Sequence, residues 1–358
     1  MNPVVIDAGS CICKVGFAGE EIPNAVIPSL IGHLPNDSKR LIGKEAFDNR
    51  EDCEISYPIR GTKITNWDHF ESLLDHCYKQ VSADPKEQSL LLTEPHCNPK
   101  KNQEKTTEIL FEKFGIPALH IASQTVLSLY AANRTTGIVL DIGDHTCSIV
   151  PIYHGYVDQA AVQCLDYSGK DLTDFLQMLL LQGKSVPVRS DWEDLRELKE
   201  NFCYVAIDFE KEENGPRDVR KLELPGGRSV NVSSEDYTCP EALFKPSLIG
   251  LESEGIHKAL RTSVMKCDYD LRKELYGNIV LSGGTTKMKG FVDRLEREIV
   301  QLVPPQVQIK LIKQADRHHA SWIGGSVLAS LISFKDYCIT KQQFEEQGTG
   351  IIYKNVFL

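Results

Sequence analysis

The chain has 11 cysteines in 358 residues, yet no two of them stand at C-x-x-C spacing and none clusters with His at zinc-ligand spacing. That excludes a zinc finger and a thioredoxin-type redox motif. Scattered thiols in a chain of this size imply reduced cysteines in the cytosol or nucleus. Long apolar runs are missing as well. The stretch from Trp322 to Phe334 carries Gly and Ser and is too short to span a bilayer. Met1-Asn-Pro leads directly into an apolar strand rather than into a charged and then apolar leader. Nor is there an excess of positive charge. With 40 Lys and Arg against 50 Asp and Glu the net charge is −10, which argues against non-specific binding to nucleic acid or anionic lipid and leaves basic partners open. The expectation is a soluble, intracellular chain.

What is present is an ordinary globular composition, 41% apolar and 25% charged, in a chain long enough for two cores. One pattern occurs twice, an apolar strand running into Asp-x-Gly and then into a second strand. The first copy is Val4-Val-Ile-Asp7-Ala-Gly9-Ser10-Cys11 and onward through Lys14 to Gly19. The second runs from Gly137 through Asp141-Ile-Gly143-Asp144-His145 to Pro151. Each reads as a β-hairpin whose turn can aim backbone N–H groups at an anion. Carboxylates beside phosphate need a divalent cation between them, which makes Asp7 and Asp141 candidates for holding Mg²⁺ through its water shell. Lys14 would supply countercharge. Taken singly, such a turn is an ordinary turn; two copies far apart point to two homologous halves with a ligand cleft at their interface.

In chain order, Ala25 to Gly32 reads as one further strand and His33 to Glu54 as a polar surface lobe of little periodicity. Asn66 is a plausible N-cap, with Trp67, Phe70, Leu73 and Leu74 at core spacing on the helix that follows. Ser89 to Pro95 reads as a buried strand and Gln103 to Phe114 as an amphipathic helix. Leu119 to Tyr130 is a strand passing into a helix, with Gln124 at the junction, where a neutral amide could orient a water or simply make a local hydrogen bond. Two amphipathic helices follow, one opening at Gly169 and one over Glu193–Tyr204 with Arg196, Lys199 and Glu200 on one polar face. Glu210 to Asp218 reads as a charged loop and Leu222 to Val232 as a hairpin. Ile279 to Ser282 meets Gly283-Gly284-Thr285, where glycines admit a flat ring or phosphate. The small-residue helix over Trp322–Leu331 is suited to close packing that returns the chain to its first half. The β-α-β rhythm around each hairpin indicates an α/β fold.

Lys14-Val-Gly-Phe-Ala-Gly19, Ile64-Thr-Asn-Trp-Asp68, Leu91-Leu-Thr-Glu-Pro95, Arg134-Thr-Thr-Gly-Ile-Val-Leu-Asp141, Val280-Leu-Ser-Gly-Gly-Thr-Thr286 and Trp322-Ile-Gly-Gly-Ser326 together make the chain resemble actins and actin-related proteins almost end to end. The resemblance implies duplicated β-sheet domains with helices around a central ATP/ADP cleft. It implies four subdomains: residues 1–28, 58–131 and 320–358; residues 29–57; residues 132–167 and 252–319; and residues 168–251. It sets Mg²⁺, ringed by water, near Asp7, Gln124 and Asp141, with Gln124 and Asp141 also serving hydrolysis. Gly9, Ser10, Cys11, Lys14, Gly143, Asp144 and His145 would face the phosphates, Arg196, Lys199 and Glu200 the ribose and base, and Gly283, Gly284 and Thr285 would lie under the nucleotide, with His318 near the adenine. Partners would be actin or actin-like subunits and proteins that dock on Tyr130, Leu328, Leu331 and Tyr337, in a cytoplasmic, cytoskeletal or nuclear setting.

Departures from the family pattern set further expectations. Cys11 and His145 replace glycines of the two turns, and Ser148 replaces the His that helps align the attacking water, so hydrolysis is expected to be slow. The mobile loop that plugs into the next subunit is cut to His33-Leu-Pro-Asn-Asp-Ser, so assembly is expected to be altered. A filament component, a filament-end subunit and a scaffold subunit of a nuclear complex all remain open on this sequence. A sugar-kinase-like enzyme would use the same cleft, but no catalytic Asp with sugar-binding residues is evident.

Overall fold

A computed structural model describes residues 2–35, 39–183, 192–216, 219–223 and 229–353. The chain divides into two compact units. One comprises Met1–Thr135, Ile152–Val157 and Asp316–Leu358, the other Thr136–Pro151 and Asp158–Ala315.

In the first unit, β1 (Val4–Ala8) and β2 (Ile12–Phe17) form the expected antiparallel hairpin, with Asp7 opposite Lys14. Strand β3 (Ala25–Pro28) pairs with β2 and stops at Pro28, which has no N–H to extend a ladder. The stretch from Ala25 to Gly32 is therefore two strands, not one. Strand β4 (Ile31–His33) lies in a separate sheet between β5 (Arg40–Ile42) and β6 (Glu54–Ser56), with helix α1 (Lys44–Asp48) beside it. Leu30, Leu41 and Ala46 form the small core of this lobe. Its elements are three to five residues long, too short to show a period in sequence. A tight pair, β7 (Ile59–Arg60) and β8 (Lys63–Ile64), leads to α2 (Trp67–Gln80). Asn66 caps α2 by accepting from the His69 N–H at 3.1 Å, and Phe70, Leu73 and Leu74 are buried, with Trp67 half-buried against the same core. Strands β9 (Leu90–Glu94) and β10 (Ala118–Ser123) add in parallel to β1, joined by α3 (Lys100–Ile109), which begins before the predicted Gln103 and widens over Leu110–Phe114. Helix α4 (Gln124–Ala131) starts directly from β10, as the sequence predicts.

In the second unit, β11 (Gly137–Ile142) is buried along its whole length and neighbours β12 (Cys147–Tyr153). After β13 (Tyr156–Val157), which belongs to the first unit, and β14 (Gln163–Leu165) come α5 (Gly169–Gln182), α6 (Trp192–Phe202) and α7 (Phe209–Glu213). Helix α7 lies where the sequence reads as a charged loop. Asp208 caps it, accepting from the Lys211 N–H at 3.2 Å, while 217–218 are outside the described residues. Strands β15 (Arg220–Glu223) and β16 (Ser229–Val232) pair as predicted; their turn at 224–228 is also outside the described residues. Helices α8 (Glu235–Glu241), α9 (Ile256–Lys266) and α10 (Tyr269–Tyr276) precede β17 (Ile279–Ser282), and α11 (Phe291–Leu302) precedes β18 (Leu311–Ile312). Strands β11, β17 and β18 are parallel. Buried Arg294 ties α11 to α8 through both oxygens of Glu241, at 2.9 and 3.0 Å.

The chain then returns to the first unit. Helix α12 (Ala320–Ser330) packs on α4 so closely that a Cβ on Gly324 would lie 1.8 Å from the Leu127 carbonyl oxygen. Trp322 is fully buried and its Nε1–H donates to the Val5 carbonyl at 3.0 Å. After α13 (Phe334–Tyr337), β19 (Ile339–Thr340) closes the first sheet in the order β19-β10-β9-β1-β2-β3. Each unit thus carries a strand hairpin extended by parallel strands, the duplicated α/β plan expected from the repeat. Among the described residues no helix is long and apolar enough to cross a membrane. Nine cysteines are free thiols.

Candidate functional site

The repeated Asp-x-Gly hairpins supply two sets of polar side chains, one in each unit. In the first, the β1–β2 register brings Lys14 Nζ to 2.6 Å from Asp7 Oδ2. The other oxygen, Oδ1, accepts from Thr93 Oγ1 at 2.5 Å and from Gln124 Nε2 at 2.9 Å. Asp7 is only 2% exposed. Burial alone would raise its pKa, but the Lys14 charge and hydrogen bond, with those of Thr93 and Gln124, outweigh burial and hold it below the ordinary carboxylate value. The group is an anion at neutral pH, anchored by three donors from three different elements. Parallel pairing of β9 and β10 sets Thr93 and Gln124 at the ends of neighbouring strands, which is why both reach Asp7. Thr93 was not legible as a site residue; the available signal was a hydroxyl at the end of the apolar run Leu90–Leu92.

The turn itself is tight. A Cβ on Gly9 would stand 2.6 Å from the Ile12 carbonyl oxygen, so that position has no room for a side chain. Ser10 Oγ accepts from the Gly61 N–H at 2.9 Å, and the Cys11 carbonyl accepts from the Ser29 N–H at 2.8 Å. His318 also belongs to this unit, half-buried in a short turn and set against His319 with ring centres 3.8 Å apart and planes tilted by 38°.

In the second unit, Asp141 is the penultimate residue of β11 and is 8% exposed. The tip beyond it is fastened to the start of α5. The Gly143 carbonyl accepts from the Gly169 N–H and from Thr285 Oγ1, each at 3.1 Å, and the Asp144 carbonyl accepts from Ser168 Oγ at 2.7 Å. Glycine is required at two of these places. A Cβ on Gly169 would meet Thr285 Oγ1 at 2.7 Å, and one on Gly283, whose φ is +85°, would meet the Ile142 carbonyl oxygen at 2.2 Å. Next to it, Gly284 faces open space, with nothing within 4 Å of an added Cβ. His145 Nδ1 lies 2.7 Å from Asp144 Oδ2. Burial would raise the Asp144 pKa, but His145, Lys199 and Arg196 together bring it below the ordinary value. Ser148, on β12, is buried opposite Cys164 of β14.

Helix α6 corrects one reading. Arg196, Lys199 and Glu200 do not share a solvated face: Glu200 is exposed, whereas Lys199 is 3% exposed and donates to the Gly169 carbonyl at 2.6 Å and Thr173 Oγ1 at 2.8 Å. Arg196 pairs with Glu193 at 2.6 Å. Lys199 therefore brings a buried positive charge to the same α5 start that holds the second hairpin tip. Sequence could not show this, since it depends on how α6 packs on α5.

The duplicated sheets, the two glycine-bounded hairpin tips and the glycine turn after β17 together describe one family. A family model described as Actin matches residues 1–193 and 189–357. The chain belongs to the actin family. Actins in general bind adenine nucleotide with a divalent cation, and the residues present fit that group. Buried, ionised Asp7 in the one unit and buried Asp141 in the other are each an oxygen donor of the kind a hydrated hard cation takes. When bound, Mg²⁺ would screen the phosphate charge; Lys14 and the turn amides would hold the phosphates. Three departures from the actin pattern, Cys11, His145 and Ser148, stand in the two hairpins.

Proposed function

We propose that this actin-family chain binds ATP with Mg²⁺ through its two hairpin turns, hydrolyses it slowly, and serves in an actin-like assembly as an end or complex subunit rather than as a self-propagating filament former. The observation that carries the binding part is Asp7, a carboxylate kept ionised in a nearly closed site by Lys14, Thr93 and Gln124. A buried anion held by three donors is a ready acceptor for the water shell of a divalent ion, and Lys14 is close enough to exchange Asp7 for a phosphate oxygen. Slow hydrolysis follows from Ser148, since a rotatable hydroxyl positions water less firmly than a ring.

The assembly part rests on an asymmetry within the first unit. Strands β4 and β5 pair with His33 opposite Arg40, so only residues 34–39 connect them, and 36–38 of these are outside the described residues. The docking residues are retained to different degrees. Leu328 is 5% exposed and part of the core, Tyr130 and Tyr337 are half-buried, and Leu331 is 49% exposed. Ile332 beside it is fully exposed, so an apolar surface is offered there. A head-to-tail filament needs both plug and socket on every subunit; this chain keeps the second and shortens the first. Displacement of a fluorescent ATP analogue from nucleotide-stripped protein tests the binding part. Competition by ATP that requires Mg²⁺ is expected; no binding of the analogue by folded, stripped protein would overturn it.

A further inference from the structure

The small sheet β5-β4-β6 is joined to helix α2 by two imidazoles. His33 on β4 and His69 in the first turn of α2 bring their Nε2 atoms to 3.2 Å, with ring centres 5.0 Å apart and planes tilted by 34°. The other nitrogen of His69, Nδ1, is 2.9 Å from Ser56 Oγ on β6. If Nδ1–H donates to that hydroxyl, the Nε2 lone pair of His69 is turned towards His33. Metal-binding imidazoles are commonly oriented in this way, through a hydrogen bond at the far nitrogen.

Ring positions discriminate between two uses of the contact. A straight N–H···N bond of this length would set the ring centres about 5.5 Å apart, because each centre lies a little over 1 Å behind its nitrogen. Two rings aimed at a single tetrahedral ion, about 2.05 Å from each nitrogen, would have nitrogens about 3.3 Å and centres about 5.2 Å apart. The observed pair, 3.2 and 5.0 Å, is bent inward like the second arrangement. Of the charged groups acting on His69, Arg40, which also donates to Ser72 Oγ at 3.1 Å, opposes a positive charge more than Asp68 favours one. His69 is 8% exposed and His33 half-buried.

We propose that His33 and His69 form a two-nitrogen site for a zinc-type divalent transition-metal ion, which on binding fastens the small sheet to α2. Among the described residues no group of three or more His, Cys, Asp and Glu is placed to hold a metal, so water fills the other positions, as in open zinc sites. Imidazole prefers such ions to Mg²⁺, which takes oxygen ligands. The site is separate from the nucleotide reading, and neither stands or falls with the other.

The test is isothermal titration of the tag-free chain with Zn²⁺ at pH 7.5 in millimolar Mg²⁺. One zinc per chain is expected, with affinity at least tenfold weaker in His33→Asn and in His69→Asn. His76→Asn, on the same helix but 3.3 Å from Gln80, and Cys53→Ser should bind as the unaltered chain does. Imidazole nitrogen NMR of the unaltered chain provides a reading that does not depend on variants folding: zinc should shift both His33 and His69. Zinc binding that moves neither ring, or affinity equal in both pair variants and the unaltered chain, would overturn the site, as would no binding at 100-fold excess.

Discussion

Asp7→Asn in nucleotide-free protein isolates what the first hairpin does before any ligand arrives. The amide keeps an oxygen for Thr93 and Gln124 but turns an NH₂ group towards Lys14 Nζ, which in the native chain is 2.6 Å from the carboxylate. Donor then faces donor, and a cation only 14% exposed loses its ion pair with Asp7. Removing one member of a buried pair costs about 3–5 kcal/mol. Because Lys14 keeps an edge in contact with solvent, the lower figure, about 3 kcal/mol, is the expectation, or a melting point lower by roughly 6–12 °C for a unit of this size. The cost should lie in keeping a largely buried charge beside an amide donor rather than in the lost pair itself. Asp7→Asn combined with Lys14→Met should therefore recover most of it, since apolar replacement of a whole buried pair is close to neutral. Trp322, buried against Val5, reports on this unit; with Trp67 and Trp192 changed to Phe it is the sole tryptophan left of three. Melting is followed by its fluorescence. An Asp7→Asn chain as stable as the parent, or a double variant no better than the single, would refute the reasoning.

Exchanging Ser148 for His and His145 for Gly should raise the rate of phosphate release from bound ATP several-fold, and an unchanged rate in a folded variant would remove the basis for slow hydrolysis. The purified chain should form few pelletable filaments alone, and should slow growth at the socket-accepting end of actin seeds in a way that Leu331→Asp abolishes; robust self-assembly, or equal inhibition by Leu331→Asp, would count against the asymmetric reading. Acid should destabilise the fold from about pH 6.5 downward. Burial lowers the pKa of His120, despite its bond to the Tyr337 carbonyl, and likewise that of His257, so the native chain resists protons that the unfolded chain accepts. That stability is complete above the unfolded-state pKa and declines as pH falls below it. Urea midpoints at pH 7.5 and 5.5 measure the loss, and His120→Gln should flatten it.

The two hairpins were legible because their signal is local: an apolar strand, an Asp and a glycine suffice to specify strand and turn, and Asn66 announces its helix in the same way. The first docking of the chain end was legible too, since Gly324 and Gly325 have no reason to lie together in a helix except close approach to another backbone. What was missed depends on partners distant in sequence. Thr93 becomes a ligand of Asp7 only because β9 lies beside β1, and Lys199 turns inward only because Gly169 and Thr173 receive it. The lobe of β4, β5, β6 and α1 was unreadable because its elements are shorter than the window in which a period can be seen. Helix α7 was obscured by its charge, although Asp208 capped it in plain sight.

The central claim, Mg²⁺-dependent ATP binding at the two hairpin turns, is tested most directly by melting nucleotide-stripped protein with and without Mg-ATP. At ligand well above its dissociation constant the stabilisation should be roughly 3 kcal/mol, a rise of about 6–12 °C. The rise should disappear when Mg²⁺ is chelated and in Asp141→Ala. An unchanged melting temperature in stripped, folded protein at millimolar Mg-ATP, or an equal rise in Asp141→Ala, would contradict the claim.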